Sequence, residues 1–313
     1  MDEIERVERR LKLHDVRVLM SVVQAGSMNK AAERLGTSQP AISRAIADLE
    51  HSLGVPLLDR TPQGVESTQY GRALIRRGLA VFDELRQGIK DIEFLADPTV
   101  GEVRIGCSES MAAGLVMTVV DELTRKYPQL SCHVATGAGP PIFEQLTNRN
   151  VELVVSRMPR HTTEDYMVVE KLFDDSYVVA ANSQNRWTRR RKIELAELLD
   201  EPWVLPPFDS FGSTLIAEAF RERGLEPPRS LVSTISLSMR NGLLATGRFL
   251  TMLPGFAVAP ERYPFLRPLP VKLPDTRAAV AVVTLKNRAL SPPALLFVDS
   301  LRAAVTRSRA KSK

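Results

Sequence analysis

The pattern that most constrains this chain lies near its start, where three short amphipathic segments are separated by tight breaks. Apolar side chains recur at helical spacing in Leu13–Ala25, and they predict further helices over Met28–Leu35 and Gln39–Leu53. Only residues 36–38 separate the last two, which leaves room for a turn and nothing larger. Pro40 falls in the first turn of the third helix, where its missing N–H costs no hydrogen bond. The pattern therefore predicts a helix-turn-helix, packed over the small side chains of Ala31, Ala32 and Ala41.

The third predicted helix carries a polar face opposite its apolar stripe. That face offers Gln39, Ser43 and Arg44, which can bond base edges or phosphates in a DNA major groove. Solvated helices of an ordinary bundle have similar polar positions, so spacing alone leaves both interpretations open. Bulk charge does not decide between them, because residues 1–72 carry 10 basic and 10 acidic side chains. The excess behind the net charge of +5 lies in residues 186–192 and 302–313 instead.

A hairpin and a long helix are predicted after the three helices. Residues 57–60 and 64–67 are short extended segments around a turn, which predicts a small wing. Thr68 then precedes a helical stretch to about Leu95 whose apolar positions follow 4-3 spacing, typical of a helix that pairs with another helix. We expect this seam to bury four side chains against a second copy of the chain: Leu74, Val81, Leu85 and Ile92.

From residue 101 onward the pattern alternates between strands and helices, which predicts an α/β domain built from βαβ units. The predicted strands are residues 103–107, 130–136, 151–156, 168–173, 177–181 and 231–234. The predicted helices are residues 111–126, 141–149, 193–199, 214–223 and 293–306, the last followed by a frayed basic tail. The polar, basic residues 182–192 indicate an exposed, solvated loop. The alternative is that the basic side chains of this loop make nonspecific contacts to DNA or to a partner.

Four stretches of the sequence closely resemble the LysR-type transcriptional regulators. They are GSMNKAAERL at residues 26–35, SQPAISR at 38–44, LGVPLLDR at 53–60 and TQYG at 68–71. Tyr127-Pro128 and residues 247–254 lie where that family has similar segments, so the resemblance covers nearly the whole chain. It implies an α/β fold with an all-α-rich N-terminal winged helix-turn-helix and a C-terminal two-lobed domain like a periplasmic binding protein.

The resemblance also implies domain boundaries and partners. We expect a DNA-binding domain over residues 1–67, with its helix-turn-helix near 28–47, and a linker and dimerisation helix over 68–97. The effector-binding domain is expected over residues 98–313, with lobe I near 98–173 and 278–313 and lobe II near 174–277. The implied partners are a double-stranded DNA operator, a small-molecule effector, further copies in a homodimer or homotetramer, and RNA polymerase.

The family's DNA contacts, carried onto this chain, fall on the second and third helices and on the wing. The expected DNA-binding residues are Ser27, Asn29, Lys30, Ser38, Gln39, Pro40, Ser43, Arg44 and Arg60. Ser27 and Ser38 are also predicted to cap the N-termini of these two helices. Two positions depart from the family in the wing, where Leu58 replaces the usual Phe and Gln63 replaces a frequent basic residue. The second departure removes one expected contact to the minor groove or to phosphate.

Candidate ligand contacts follow the predicted strands at one edge of the sheet, where doubly wound domains bind ligands. Ser108 and Ser110 precede a helix whose free N–H groups favour an anion, and the family's effector pocket has a hydroxyl residue matching Ser110. We expect a small anionic metabolite between the lobes, held by Ser108, Ser110, Gly139, Ser156, Arg157, Ser213 and Thr214. Glu109 disfavours an anion unless it points away, and in the alternative interpretation the serines only cap the helix.

Other candidate chemistry is sparse. Cys107 and Cys132 both lie on predicted strands. They could form a redox switch, but we favour the interpretation that they are small buried side chains. No metal-ligand spacing links the histidines, which are His14, His51, His133 and His161. We therefore expect no enzyme, metal or cofactor; the alternative is a small-molecule-binding protein or enzyme whose helix-turn-helix serves only assembly. The acidic N-terminus and the lack of long apolar runs predict a cytoplasmic protein without membrane contact.

Overall fold

In the computed structural model, the described residues are 5, 9–61, 64–158, 164–208, 210–258 and 261–311. The chain divides into two units, Met1–Gly88 and Ile89–Lys313. Among the described residues, no helix is long and apolar enough to cross a membrane.

The first unit begins with the three predicted helices, at the predicted bounds: α1 (Leu13–Ala25), α2 (Met28–Leu35) and α3 (Gln39–Leu53). Their apolar stripes form one core, which includes Val18, Leu19, Val22, Ile42, Ile46 and Leu49. Ala31 and Ala32 are buried in that core, so α2 packs closely on its neighbours as their small size predicts. Ala41, the third of the small residues, is exposed and lies outside the contact.

The caps of α2 and α3 differ. Ser38 caps α3 as predicted, since its Oγ accepts a hydrogen bond from the Ala41 N–H at 3.4 Å. Pro40 lies in the first turn of α3, also as predicted. Ser27 stands at the N-cap position of α2 in extended backbone, but its side chain makes no capping hydrogen bond. The Ser27 hydroxyl therefore does not hold α2, although the Ser27 carbonyl accepts from the Ala31 N–H at 3.0 Å.

Two short antiparallel strands form the predicted wing, β1 (Leu58–Thr61) and β2 (Gly64–Ser67). Glu50 of α3 accepts hydrogen bonds from the N–H groups of Leu57 at 2.7 Å and Leu58 at 3.2 Å. On the other strand, the Val65 N–H donates to the carbonyl of Gly26 at 3.0 Å. The wing is thus attached both to α3 and to the turn that precedes α2.

The long predicted helix is α4 (Gln69–Ala96), which Thr68 caps by accepting from the Gly71 N–H at 3.0 Å. Gly78 lets α4 approach α1 closely, because a Cβ there would lie 2.7 Å from Val16 Cγ1. Leu74, one helical turn earlier, is half-buried against the same core. Farther along, the apolar side chains of α4 are exposed by 44% at Val81, 49% at Leu85, 57% at Ile89, 69% at Ile92 and 81% at Leu95.

The second unit alternates strands and helices. In chain order they are β3 (Val100–Cys107), α5 (Met117–Lys126), β4 (Gln129–Thr136), α6 (Pro140–Thr147), β5 (Leu153–Met158), β6 (Met167–Asp175), β7 (Tyr177–Asn182), β8 (Trp203–Leu205), α7 (Phe211–Arg221), β9 (Ser230–Ser233), α8 (Leu237–Ala245), β10 (Leu250–Pro254), β11 (Leu266–Pro268), β12 (Ala278–Leu285) and α9 (Pro292–Lys311).

These strands form two five-stranded sheets. The first sheet has the order β4-β3-β5-β12-β6, with β3 parallel to β4 and β5, and β12 antiparallel to β5 and β6. The second sheet has the order β11-β7-β10-β8-β9. The chain leaves the first sheet after β6, builds the second from β7 to β11, and returns through β12. Helix α9 packs on the first sheet through Phe297 and Leu301, both fully buried.

Several predicted elements need correction. The prediction omits four strands and one helix, namely β8, β10, β11, β12 and α8. Strand β10 and most of strand β12 are buried on both faces, so their sequences lack the alternation of polar and apolar residues that identifies a strand. The helix predicted over residues 193–199 is only a short 3₁₀ turn, Leu195–Leu198, because Ile193 is extended and forms a parallel β-bridge with Val271. The predicted helix 111–126 is interrupted at Gly114, whose backbone is not helical. Helix α9 continues to Lys311 instead of fraying.

The charge of the basic loop is neutralised in part. Within it lies a 3₁₀ turn, Arg186–Arg189, whose Trp187 is 9% exposed and packs into the core beneath the second sheet. Arg190 pairs with Glu197 at 3.1 Å and Lys192 with Glu194 at 2.6 Å. These ion pairs favour a solvated loop over a surface dedicated to DNA.

Candidate DNA-binding surface and ligand cavity

The helix-turn-helix leaves most of the predicted DNA-facing side chains at its surface. Asn29, Lys30, Ser38, Gln39, Pro40 and Arg44 are exposed, whereas Ser27 and Ser43 are half-buried. Within the described ranges, neither Lys30 nor Arg44 has an ion-pair or hydrogen-bond partner for its side chain. Arg44 also lies off the buried stripe of α3. Both cations are therefore available to phosphates or base edges.

The wing is described only in part. Arg60 belongs to β1, but its side chain lies outside the described residues, as does Gln63. Leu58 is 9% exposed and packs in the core of the first unit, so leucine fills the position where the family usually has phenylalanine.

A cavity of about 760 Å³ lies in the second unit, at the carboxyl ends of β3, β4 and β5. On the side of the first sheet it is lined by five of the predicted residues, Ser108, Ser110, Gly139, Ser156 and Arg157. On the side of the second sheet it is lined by Tyr177, Pro206, Ser210, Phe211, Gly212 and Arg240. The volume is that of an ordinary small-molecule pocket, and the position is the one expected for a doubly wound domain.

Ser108 and Ser110 are adjacent in the cavity wall, with 3.3 Å between their Oγ atoms. Ser108 stands at the N-cap of the helical turn Glu109–Met111, yet its side chain makes no capping hydrogen bond. The capping interpretation therefore does not account for the Ser108 hydroxyl. Glu109 does not point away from the cavity: it lines the wall, and its carboxylate accepts a hydrogen bond from Thr136 at 3.4 Å.

Ser213 and Thr214, although described, do not line the cavity. The helix predicted to start at residue 214 starts at Phe211, so both lie in its first turn. The Ser213 hydroxyl is buried and directed at backbone carbonyls, 2.7 Å from that of Ser210. Thr214 is exposed and also approaches the Ser210 carbonyl. The residues that α7 and its cap present to the cavity are instead Ser210, Phe211 and Gly212.

Arg157 lies on β5 and is 8% exposed. Its Nη2 donates to the carbonyl of Asp175 at 3.1 Å and to that of Thr276 at 3.2 Å. Asp175 ends β6 and Thr276 precedes β12, so these carbonyls belong to the two segments that join the sheets. The guanidinium also lies 4.3 Å from the ring centroid of Tyr177. Its Nε and Nη1 are buried without a hydrogen-bond partner, which leaves unused donors at the junction of the two sheets.

Sequence reasoning missed Arg240 and Tyr177. Arg240 belongs to α8, and its Nε is buried without a partner. Burial lowers the pKa of Arg240, and it raises the pKa of the Tyr177 hydroxyl, an effect that the charges of Arg157 and Arg240 oppose. The Tyr177 hydroxyl therefore lies within the field of both cations. Helix α8 has little amphipathic character, so the sequence signal for Arg240 was only a charge within a mostly apolar run.

The two cysteines lie out of disulfide reach of each other. Cys107 is fully buried, and burial, with a smaller effect of Glu109, raises the pKa of its thiol to about 12. Cys132 is aligned with Val103 on the neighbouring strand, four residues from Cys107. Four strand residues span about 13 Å, well beyond the reach of a disulfide. Cys107 is therefore a small buried side chain of low reactivity, as the favoured interpretation predicts.

Within the described ranges, no group of three or more histidine, cysteine or acidic side chains is arranged to hold a metal ion. His161 lies outside the described residues.

A helix-turn-helix joined to a two-sheet ligand-binding unit defines a class of transcriptional regulators. Residues 13–72 match the family model for the bacterial regulatory helix-turn-helix protein, lysR family, and residues 96–306 match that for the LysR substrate binding domain. The chain belongs to the LysR family: it is a DNA-binding transcriptional regulator with an effector-binding domain, not an enzyme.

Curated relatives and solved structures agree with this membership. The chain is 28% identical to the HTH-type transcriptional regulator GbpR of Azospirillum brasilense, over 95% of this chain and 88% of that protein. It is 26% identical to the transcriptional dual regulator GltC of Bacillus subtilis, over 92% of this chain and 96% of that protein. A variant of full-length OxyR from Pseudomonas aeruginosa superposes with a TM-score of 0.66 at 20% identity, covering 94% of each chain. Full-length CbnR in complex with its target DNA superposes with a TM-score of 0.64 at 21% identity, covering 94% of this chain and 100% of the CbnR chain.

Proposed function

We propose that α3 enters the major groove of an operator and that Gln39, Ser43 and Arg44 contact base edges or phosphates there. The observation that carries this proposal is the exposed, unpaired Arg44 on the polar face of α3. The other residues proposed at the DNA are Ser27, Asn29, Lys30, Ser38, Pro40 and, from the wing, Arg60.

We further propose that a small anionic metabolite binds in the cavity and changes how the protein acts on its operator. Unused buried donors of Arg157 support an anion, and so do the paired hydroxyls of Ser108 and Ser110. Gly139 and Ser156 complete the first-sheet side of this proposed site. On the second-sheet side, Ser210 to Gly212 take the place that the sequence suggested for Ser213 and Thr214.

Assembly is the third part of the proposal. The exposed side chains of Val81, Leu85 and Ile92 favour pairing of α4 with a second copy, whereas Leu74 already packs within its own chain. A two-fold dimer presents two recognition helices to two half-sites, and two dimers make a tetramer. We propose DNA-binding, linker and effector-binding segments at residues 1–67, 68–97 and 98–313. A protein that acts on chromosomal DNA and RNA polymerase works in the cytoplasm.

A gel-shift experiment tests the proposed function. The probe is the DNA upstream of the gene for this protein and of its divergent neighbour, titrated with wild type, Arg44→Ala and the matched control Arg125→Ala. Arg125 is an exposed arginine on α5 of the second unit. We expect wild type and control to retard the probe, Arg44→Ala to do so more weakly, and a panel of carboxylates and phosphates to contain a modulator. No retardation by wild type at low salt would favour a helix-turn-helix that serves only assembly.

A further inference from the structure

The cavity carries its charges unevenly. Among the described residues that line it, the cations are Arg157 and Arg240, and the carboxylates are Glu109, Glu144 and Glu164. Large apolar side chains cover much of the remaining wall, namely Phe143, Tyr166, Met167, Phe211, Ile235 and Leu237. One ligand carboxylate can lie at the two arginines, but a second negative charge on the ligand would find no further cation among the described lining residues.

Both arginines converge on Tyr177. The Arg157 guanidinium stacks on its ring, and Arg240 acts on its hydroxyl from the second sheet. That hydroxyl closely approaches the start of α7, because a Cβ at Gly212 would lie 2.6 Å from it. The cluster of Arg157, Tyr177 and Arg240 therefore forms one cationic end of the cavity.

Three donor atoms of this cluster lack acceptors. Nε and Nη1 of Arg157 and Nε of Arg240 are buried with no hydrogen-bond partner, and neither guanidinium has an ion-pair partner among the described residues. Buried donors without acceptors are rare in proteins and unfavourable, so such groups call for an explanation. A ligand carboxylate supplies planar paired acceptors that match a guanidinium.

We propose that the effector is a monocarboxylate with an apolar body, and that Arg240, with Arg157, recognises its single charge. This inference rests on the proposed function, since it names the ligand chemistry of that same cavity. Arg157 holds both segments that join the sheets, whereas Arg240 belongs to a helix of the second sheet. A carboxylate bonded to both therefore links the junction to the second sheet, and the bound ligand fixes the angle between the sheets.

A displacement assay on the full-length protein tests the ligand chemistry. N-phenylnaphthylamine, a neutral apolar dye, serves as fluorescent reporter, and octanoate, octanamide and octanedioate compete for it. These share one chain length and differ in carrying one, no or two charges. We expect octanoate to displace the dye at concentrations about tenfold or more below those of the other two, as a charge-assisted hydrogen bond implies. Equal potency of octanoate and octanamide, equal potency of octanoate and octanedioate, or no displacement by about 10 mM octanoate, would overturn the inference.

Two variants locate the recognised charge. Arg240→Gln removes the cation, and Arg248→Gln is the control, since Arg248 is an exposed arginine that follows α8 and does not line the cavity. We expect the advantage of octanoate over octanamide to fall within about twofold in Arg240→Gln and to persist in Arg248→Gln. Arg240→Lys keeps the charge without the planar fork and should lie between them. An undiminished advantage in Arg240→Gln overturns the assignment; if that variant does not fold, the wild-type comparison still decides the ligand class.

Failure of this inference is distinguishable from failure of the proposed function. A metabolite that changes DNA retardation but binds Arg240→Gln as tightly as wild type would overturn the role of Arg240 and leave the regulator intact. If the wild-type protein does not retard DNA but still prefers octanoate, the proposed DNA-binding function would be overturned and the ligand chemistry would stand.

Discussion

Leu85→Glu should separate the copies of this protein without unfolding either one. Leu85 lies at the centre of the exposed stripe on α4 and is 49% exposed in the single chain. An exposed helix position tolerates glutamate well, so the cost to folding should stay within about 0.5 kcal/mol. In a paired helix the same side chain would be buried, and two copies would bring two carboxylates together.

The magnitude follows from the exposed fractions along the stripe. Full burial of an aliphatic side chain contributes about 1.5–3 kcal/mol, so half-exposed Leu85 contributes roughly 1 kcal/mol per copy on pairing. Leu85→Glu loses this contribution twice and adds the cost of desolvating a charge, for a total of about 3–5 kcal/mol per dimer. The dimer dissociation constant should therefore rise by about a hundredfold to several thousandfold.

Sedimentation velocity over a wide range of protein concentration measures this constant. Arg76→Glu is the matched control, because Arg76 is exposed on the face of α4 opposite the stripe. Leu85→Ala should give an intermediate weakening, since it removes apolar area without adding a charge. A wild type that is monomeric at micromolar concentration, or a Leu85→Glu variant with the wild-type dissociation constant, would refute the reasoning.

Three further outcomes are expected. Arg44→Ala should weaken operator binding by about 1–3 kcal/mol if Arg44 contacts a base, or lower the salt slope by about 1 if it contacts phosphate; equal affinity across salt would contradict its placement. Ser110→Ala should lower effector affinity by roughly threefold to tenfold in calorimetry while ligand-free DNA binding stays unchanged, and undiminished affinity would rule out a ligand contact. With its thiol pKa at about 12, Cys107 has only about 10⁻⁴ of its thiol as thiolate at pH 8, so iodoacetamide should spare it in the folded protein and modify it faster as the pH rises. Rapid alkylation of Cys107 at pH 8, read by mass spectrometry, would show that it is not buried.

The helix-turn-helix was predictable because its determinants are local. The ends of α1, α2 and α3 follow from helical periodicity, the cap at Ser38 and the proline at position 40, and all three predicted helices have the observed bounds. Strand β10 of the second sheet and strand β12 of the first were harder to predict, because β10 is buried throughout and β12 over most of its length, and such strands show no alternation of polar and apolar residues. Their place in the sheets depends on pairing with strands far away in the sequence.

The cavity shows the same division between local and long-range determinants. Ser108, Gly139 and Arg157 were found because each follows or ends a recognisable strand, and topology brings such ends together. A shift of three residues in the start of α7 was enough to move Ser213 and Thr214 off the cavity wall. Arg240 was missed because nothing near it in the sequence marks α8 as a helix that reaches the site.

The unused donors of Arg157 and Arg240 bear on why this cavity differs from an ordinary structural cavity. By contrast, the buried Glu152 uses both carboxylate oxygens, accepting from Lys90 at 2.8 Å and from the Ser291 hydroxyl at 2.6 Å. At the cavity, Nε and Nη1 of Arg157 and Nε of Arg240 are buried without an acceptor, which destabilises the ligand-free protein. Buried donors without acceptors are typical of functional sites, where a bound ligand supplies the acceptors that the folded chain does not provide. The unsatisfied arginine donors would thus weaken the ligand-free second unit, and a carboxylate that bonds to them would stabilise the ligand-bound state. A ligand-driven switch requires such a difference in stability between the two states.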